Sequence, residues 1–273
     1  MEGQPFRLPD EEKQKDFELA LNLAKSHPTL FQVGHEFEFD DYLRSNSRCL
    51  QTRKTGIVIL KNPNKKEQHM EIGTIGAGDF AQAFAKRVLK SGHKVKLSNS
   101  RGPESLREIV MRLGPGATAG TREEAVACEM VLLAVPWDNV PETLASLPEW
   151  KNQILIDGVN PYHGKAGAFT PVDVGNLSTS QFIAALAPGA RVVKAFNNMQ
   201  VPNLEADPVV NGAKRVAFIS ADDDDAKKRV QTLLENCGYS VVDLGNLRDG
   251  GLIQQTGGPL GGRDFLEKGE YRR

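Results

Sequence analysis

From Met70 to about residue 245, short apolar runs alternate with amphipathic stretches of helical period. Residues 71–76 read as a strand ending in a glycine turn, and residues 80–90 as a helix stopped by Ser91-Gly92. A strand over 94–98 and a helix over 103–113 follow, the helix broken by Pro115-Gly116. Ala117-Thr118 is short enough for only a minimal strand. Residues 121–128 read as a short helix, opened by Thr121 with Glu124 three residues on, which is a capping box. The runs MVLLAV (130–135) and QILID (153–157) contain too few polar positions for a half-exposed strand, so both predict strands covered on two faces. Helices are expected over 140–147 and 178–187, the latter capped by Ser178. Beyond them come strands over 191–195 and 215–220, a helix over 221–236 and a strand over 239–244. Regular alternation of strand and helix predicts an α/β fold: a Rossmann-type doubly wound, mainly parallel sheet.

Residues 1–69 differ in character and form an extra N-terminal α+β segment. Residues 9–26 carry an apolar stripe and an Asp10 cap, and His27-Pro28 ends the helix they predict. Aromatics and acids mix over 30–43, with Phe37-Glu38-Phe39 alternating like a strand. TGIVIL at 55–60 is a second short strand before a turn at 62–64. No catalytic pattern occurs in this segment. The division expected is therefore 1–69, an extension without an assigned role, and 70–273, a nucleotide-binding domain with a glycine-rich tail.

Composition narrows the function classes. Hydrophobic residues make up 40% and charged residues 25%, the mix of a water-soluble globular protein. A net charge of -1 provides no basic field for a nucleic-acid backbone. No apolar run is long enough to span a bilayer, and the N-terminus lacks the basic-then-apolar order of a secretion signal. Cys49, Cys128 and Cys237 are too few and too scattered for a disulfide framework or a metal knuckle. They fit a reducing cytoplasm, with Cys128 and Cys237 as small core residues in helical stretches.

The turn after the first strand of the second segment reads Gly76-Ala77-Gly78-Asp79-Phe80-Ala81, a GxGxxA pattern. The first glycine permits a tight exit from the strand, the second lets backbone approach a pyrophosphate, and Ala81 lets helix and strand pack closely. Free N–H groups at the helix start then face the phosphates. Because the pattern follows a strand and opens a helix within a βαβ unit, it predicts dinucleotide binding. The next strand selects the cofactor. Enzymes that use NAD carry an acid about 20 residues after the glycines, on the ribose 2′-hydroxyl. Here that stretch is Ser98-Asn99-Ser100-Arg101, with no acid before Glu104. Hydroxyl and amide donors beside a guanidinium suit a 2′-phosphate, so NADP(H) is favoured over NAD(H).

Taken together, IGTIGAGDFAQAFA, LSNSR, VLLAVPWDNV and VVKAFNNM resemble the NADPH-dependent F420 reductase family, to which the cytoplasmic domains of the STEAP metalloreductases are related. The resemblance runs over about residues 70–262. It implies that Ser100 and Arg101 bind the 2′-phosphate, and that Ile75, Gly78, Asp79 and Phe80 line the pyrophosphate. It also implies that Ala134, Val135 and Pro136 border the adenosine side and ribose. Ala195 would offer backbone hydrogen bonds to the nicotinamide amide, with Phe196 and Asn197 beside it. Some members carry a further basic residue four positions after the arginine, where this chain has Ser105.

Hydride transfer needs orientation and dryness more than side-chain chemistry. No Ser-His-Asp set or carboxylate pair is required, and none is evident. Asn160 and Asn197 are polar candidates for orienting amide or substrate groups. On composition the tail from Gly250 to Gly262 reads equally as a second phosphate cradle or a flexible closing loop, and the resemblance implies a position near the substrate, as a lid or wall of the pocket. Asp222 to Asp225 would suit a helix start, the positive end of its dipole, better than a metal, and no metal is expected. His163 reads as exposed and idle. The expected activity is NADPH-dependent hydride transfer to F420, another deazaflavin, a flavin or some other small redox acceptor. Its alternative is an NADP(H)-binding sensor or scaffold without turnover. Neither a nucleic acid nor a membrane is expected as partner, and a homodimer is compatible with the sequence.

Overall fold

Apolar runs that must be covered on both faces become the centre of one sheet. In the computed structural model, the described residues are 33–38, 57–61, 69–164, 170–172, 174–175 and 177–269. The chain divides into two compact units, 1–68 and 69–273. In the first, β1 (Val33–Glu38) pairs in parallel with β2 (Ile57–Lys61), with a register irregularity between Val33 and His35. The helix expected over 9–26 and the turn at 62–64 lie outside the described residues.

The second unit contains β3 (Glu71–Ile75), α1 (Asp79–Lys90), β4 (Lys94–Ser98), α2 (Arg107–Leu113), β5 (Ala117–Ala119), α3 (Arg122–Val126), β6 (Met130–Leu133), α4 (Val140–Ala145) and β7 (Ile154–Asp157). After a small hairpin of β8 (Tyr162–His163) and β9 (Thr170–Pro171) come α5 (Thr179–Leu186), β10 (Arg191–Ala195), α6 (Val201–Glu205), β11 (Val209–Val210) and β12 (Ala213–Ala221). α7 (Asp224–Asn236), β13 (Ser240–Asp243), α8 (Asp249–Gln254) and β14 (Leu266–Glu267) complete it. The sheet order is β5-β4-β3-β6-β7-β10-β12, with β13 beside β12. The first six strands of that order are parallel and form the doubly wound arrangement expected.

Side-chain alternation divides the core between the two faces. Met130, Leu132, Ile154 and Ile156 pack with Phe84 and Val88 of α1 and Leu233 and Leu234 of α7. Val131, Leu133 and Leu155 pack on the opposite face with Val140 and Leu144 of α4 and Ile183 of α5. Successive strand residues face opposite sides, so a strand covered on both is apolar throughout. This is why the central runs carried no alternation.

The capping box of α3 forms as expected: Thr121 Oγ1 accepts from Glu124 N at 3.2 Å, and Thr121 N donates to Glu124 at 2.9 Å. Ser178 and Gln181 make a second box at the start of α5. Thr121→Ala is expected to lower stability by about 1 kcal/mol, the usual cost of losing such a cap, as measured by chemical denaturation.

Three parts of the unit differ from expectation. Residues 103–113 split into a 3-10 turn (Pro103–Leu106) and α2. β12 runs antiparallel to β10, because α6 and the tight β11–β12 pairing bring the chain back without a crossover over the sheet face. The tail contains α8, whose Gly250 and Gly251 are buried. A Cβ on Gly250 would lie 2.4 Å from Leu244 O and from Ser220 Oγ, so its bare backbone is a packing requirement. Cys128 and Cys237 are buried as expected, although they lie just past the ends of α3 and α7 rather than within helices, and burial pushes both thiols up.

Tyr239 is fully buried beneath α6, donating to Leu204 O at 3.4 Å, and burial pushes its hydroxyl up to about 12. An unfolded tyrosine titrates near pH ~10. The folded state is therefore unpenalised below that pH and loses stability as pH rises toward 12, since the unfolded chain releases its proton first. Denaturation between these limits is expected to show a steeper alkaline loss in the native chain than in Tyr239→Phe.

Candidate functional site

Parallel strands end on a common edge, so the carboxyl ends of β3, β4, β6, β7 and β10 bring together Gly76, Asn99, Ala134, Gly158 and Phe196. The residues read in the sequence as candidates for cofactor binding fall at or beside this edge.

The turn from β3 into α1 is clamped from both neighbours. Gly76 N donates to Ser98 O at 3.1 Å, and Ala134 N donates to Ile75 O at 2.8 Å. Gly76 has φ +107, and a Cβ there would sit 2.1 Å from Ala134 O. Only glycine meets both demands. Ile75 is buried in the strand below, and Thr74 Oγ1 donates to Gly76 O at 2.9 Å. Gly78 is the N-cap of α1 and makes no side-chain cap, while a Cβ on it would meet nothing within 4 Å. The helix therefore begins over open space. Gln82 N is bonded to Gly78 O at 3.0 Å, and the amides before it are the ones a helix leaves without internal partners. Asp79 is exposed in the first turn, and Ala81 is buried against the sheet. The ring of Phe80 packs over Gly158, where a Cβ would lie 2.5 Å from the ring.

At the end of β4 the polar residues divide their work. Ser98 is buried and donates to Thr74 O at 2.6 Å. Asn99 shapes the loop: its Oδ1 accepts from Arg101 N at 2.9 Å and its Nδ2 donates to Ser105 Oγ at 2.9 Å. Ser105 in turn donates to Gly102 O at 2.7 Å. Ser100 and Arg101 are exposed, and among the described residues no carboxylate pairs with the Arg101 guanidinium. The neighbouring Arg107 is paired with Glu104 at 3.1 Å. Across the edge, Ala134 and Val135 are half-buried and Pro136 is exposed, ahead of the buried Trp137.

The end of β10 turns sharply. Phe196 has φ +68, a backbone conformation that is costly for a bulky residue. Its ring points into the core, with centroids 6.1 Å from Phe80, 5.7 Å from Phe84 and 6.1 Å from Tyr239. At this edge Phe196 thus presents backbone, and the following Asn197 presents its amide. Asn197 Nδ2 donates to Val159 O at 2.8 Å and to Asn160 Oδ1 at 3.1 Å, whereas its buried Oδ1 has no partner. Asn160 Oδ1 also accepts from Thr256 Oγ1 of the tail at 3.0 Å. Gly262 N donates to Asn197 O at 3.2 Å, so the tail lies across the ends of β7 and β10 as a wall. It is a poor phosphate cradle, because the amides of Gly258, Leu260, Gly261 and Gly262 are all consumed by carbonyls.

Sequence reading missed a buried polar cluster just below this edge. Lys194 and Asp157 are fully buried and 3.2 Å apart, with Thr179 and Ser180 of α5 on either side. The signal was available. A lysine inside VVKAF and an acid ending ILID both sit in strands covered on two faces, so both charges had to be buried and paired. His163 is exposed but not idle, since its ring pairs with Asp138. Among the described residues no cluster of acids, histidines or cysteines could hold a metal. Asp223 caps α7 by accepting from Ala226 N at 2.7 Å, and Asp224 and Asp225 lie in its first turn, the helix start expected for this acid run. No helix of the described residues is long and apolar enough to cross a membrane.

Comparison with known proteins agrees with this geometry. The family described as NADP oxidoreductase, coenzyme F420-dependent, matches residues 71–161. Metalloreductase STEAP3 of Rattus norvegicus is 29% identical over 178 residues, covering 65% of this chain and 34% of its own length. The chain spans about a third of the length of such curated relatives. A hypothetical protein from Sinorhizobium meliloti is 34% identical with a TM-score of 0.68, over 76% of this chain and 100% of its own. A structure described as an F420-dependent NADP-reductase, from an Arthrobacter species, is 25% identical with a TM-score of 0.54, over 65% of this chain and 86% of its own. A Rossmann sheet with a clamped glycine turn, an acid-free second strand end and these relatives make the chain a member of the coenzyme F420-dependent NADP oxidoreductase family.

Proposed function

We propose that the domain over 70–273 binds NADP(H) along the carboxyl edge and transfers a hydride between its nicotinamide and a deazaflavin such as F420, a flavin, or another small acceptor. The observation that carries this reading is the pairing of an open helix start at Gly78 with an uncompensated guanidinium at Arg101. Three features fit the cofactor. A Cβ on Gly78 would meet nothing within 4 Å, so the start of α1 is open where backbone amides can meet a pyrophosphate. Ser100 and Arg101 stand exposed where a 2′-phosphate would need donors, while Asn99 holds their loop. Asn197 Oδ1, buried without a partner, suits an amide donor arriving at the end of β10.

When bound, the nicotinamide ring supplies or takes up the hydride. The overall exchange is NADPH, acceptor and a proton giving NADP+ and reduced acceptor, or its reverse. The chain's own residues position and exclude water. Ile75, Gly76, Gly78, Asp79 and Phe80 would surround the pyrophosphate, and Ala134, Val135 and Pro136 the adenosine side and ribose. Ala195 and Phe196 would offer backbone groups, and Asn160 and Asn197 amide groups, to the nicotinamide. Because Asn160 Oδ1 already accepts two hydrogen bonds, its Nδ2 is left as the donor toward cofactor or acceptor.

Paired titrations with NADPH and NADH, followed by an acceptor screen at the NADPH absorbance band, test the reading. NADPH should bind far more tightly, and a deazaflavin or flavin should be reduced. Equal affinity for the two cofactors overturns the role of Arg101. Tight NADPH binding with no acceptor turned over favours a sensor or scaffold instead.

A further inference from the structure

We propose that Lys194 is a positioning residue for hydride transfer, whose buried ammonium closes a ring of hydrogen bonds around Asn160 and Asn197; this rests on the functional reading above. Two arms leave the ammonium. The first runs from Lys194 Nζ to Asp157 Oδ2 at 3.2 Å, and from Asp157 Oδ1 to Val159 N at 2.9 Å. Val159 O then accepts from Asn197 Nδ2 at 2.8 Å, and that nitrogen also reaches Asn160 Oδ1 at 3.1 Å. The second arm runs from Lys194 Nζ to Thr179 Oγ1 at 3.1 Å. Thr179 Oγ1 donates onward to Gln255 Oε1 at 3.3 Å, and Thr179 N reaches the same oxygen at 3.0 Å. The next residue of the tail, Thr256, donates to Asn160 Oδ1 at 3.0 Å, where the arms meet.

The loop after β7, the end of β10 and the C-terminal wall are thus held by one cation. Stability alone does not account for it. A buried ion pair is often no more stabilising than an apolar pair of equal volume, because both charges must be taken out of water. What the pair does provide is geometry. Asp157 accepts from Val159 N, Lys194 and Ser180 at once, and that fixes the peptide whose carbonyl orients Asn197. An ammonium can only donate, so the Thr179 hydroxyl accepts from Lys194 and turns its own hydrogen toward Gln255, and the same charge orients the wall. Within the ring, Asn197 Oδ1 is the buried atom left without a partner.

The test uses the full chain carrying Lys194→Met with Asp157→Asn, which removes both charges and leaves neither unpaired. NADPH affinity, the emission spectrum and lifetime of bound NADPH, and the single-turnover rate with 4-deuterated NADPH are compared with the native chain. Affinity should stay within about three-fold, since the phosphate contacts are remote, while the hydride step slows by about 100-fold, the effect of a misplacement near 1 Å. Emission of bound NADPH should change, and transfer from a single face of the nicotinamide should become mixed. A folded double variant with native emission and native transfer rate overturns the proposal. If the double variant does not fold, Thr179→Val, which cuts only the arm to the wall, should give the same signature at about 10-fold, and native behaviour there is equally decisive. If the native chain fails to bind NADPH, the functional reading falls first. If it binds NADPH but reduces no acceptor, the emission comparison still judges Lys194.

Discussion

Gly78→Val is expected to leave the fold intact and to weaken NADP(H) binding by at least about 100-fold. The first half follows from the protein side. Gly78 has φ -72 and ψ -177, a conformation any residue adopts, and a Cβ there meets nothing within 4 Å. Valine is a poorer N-cap than glycine, but the loss of backbone freedom in the unfolded chain offsets a penalty of this size, about 0.4–1 kcal/mol. The second half follows from the ligand side. A pyrophosphate must come close enough to bond the amides at the start of α1, and a branched side chain would stand in that space. Hydrogen bonds to a charged group are worth about 1.5–3 kcal/mol each, so losing two of them already exceeds a 100-fold change. Thermal unfolding together with NADPH titration gives the answer. Native affinity in a folded Gly78→Val protein would place the pyrophosphate elsewhere and sink the site. Gly76→Ala makes a useful contrast, since its methyl would collide with Ala134 O and its φ of +107 is strained for alanine, so it should unsettle the fold itself.

The difference between these two glycines shows what a sequence carries. GxGxxA specified a strand, a turn and a helix, because Gly76 and Ala81 answer local steric demands that reappear in the structure, whereas at Gly78 the protein itself leaves room for a Cβ and only a ligand would need the space. The charge preference was likewise local: Ser98 to Arg101 lie on one strand end, and no neighbour supplies an acid. Nonlocal features were harder. The apolar run of β12 reads the same in either direction, so its antiparallel course is decided by α6 and β11, elements of five and two residues with almost no periodic signal. Gly250 and Gly251 made α8 look like a loop, because what a Cβ on them would meet, Leu244 and Ser220 for Gly250 and Ser178 for Gly251, lies elsewhere in the chain. Lys194 and Asp157 were separated by 37 residues, and only the β7–β10 pairing makes them neighbours.

Arg101→Ala should reduce NADPH affinity by about 100-fold while leaving NADH within about two-fold, because a guanidinium held to phosphate oxygens by two charge-assisted hydrogen bonds is worth about 3 kcal/mol. The surroundings concentrate that effect on one residue. Ser105, at the position where relatives of this family can carry a second base, bonds Gly102 and Asn99 within the loop. Arg107 is close in sequence but is paired with Glu104, so it is poorly placed to take over. Asn99 binds the Arg101 amide, which presents the side chain and remains after truncation, so the loop itself should persist. Arg101→Lys should recover only part of the loss, since an ammonium supplies charge without the planar fork. The affinity ratio between NADPH and NADH, measured for all three chains at one salt concentration, isolates the 2′-phosphate from every other contact. A ratio unchanged by Arg101→Ala would mean that the phosphate is recognised by other donors, and that the acid-free end of β4 tolerates NADP(H) without selecting it.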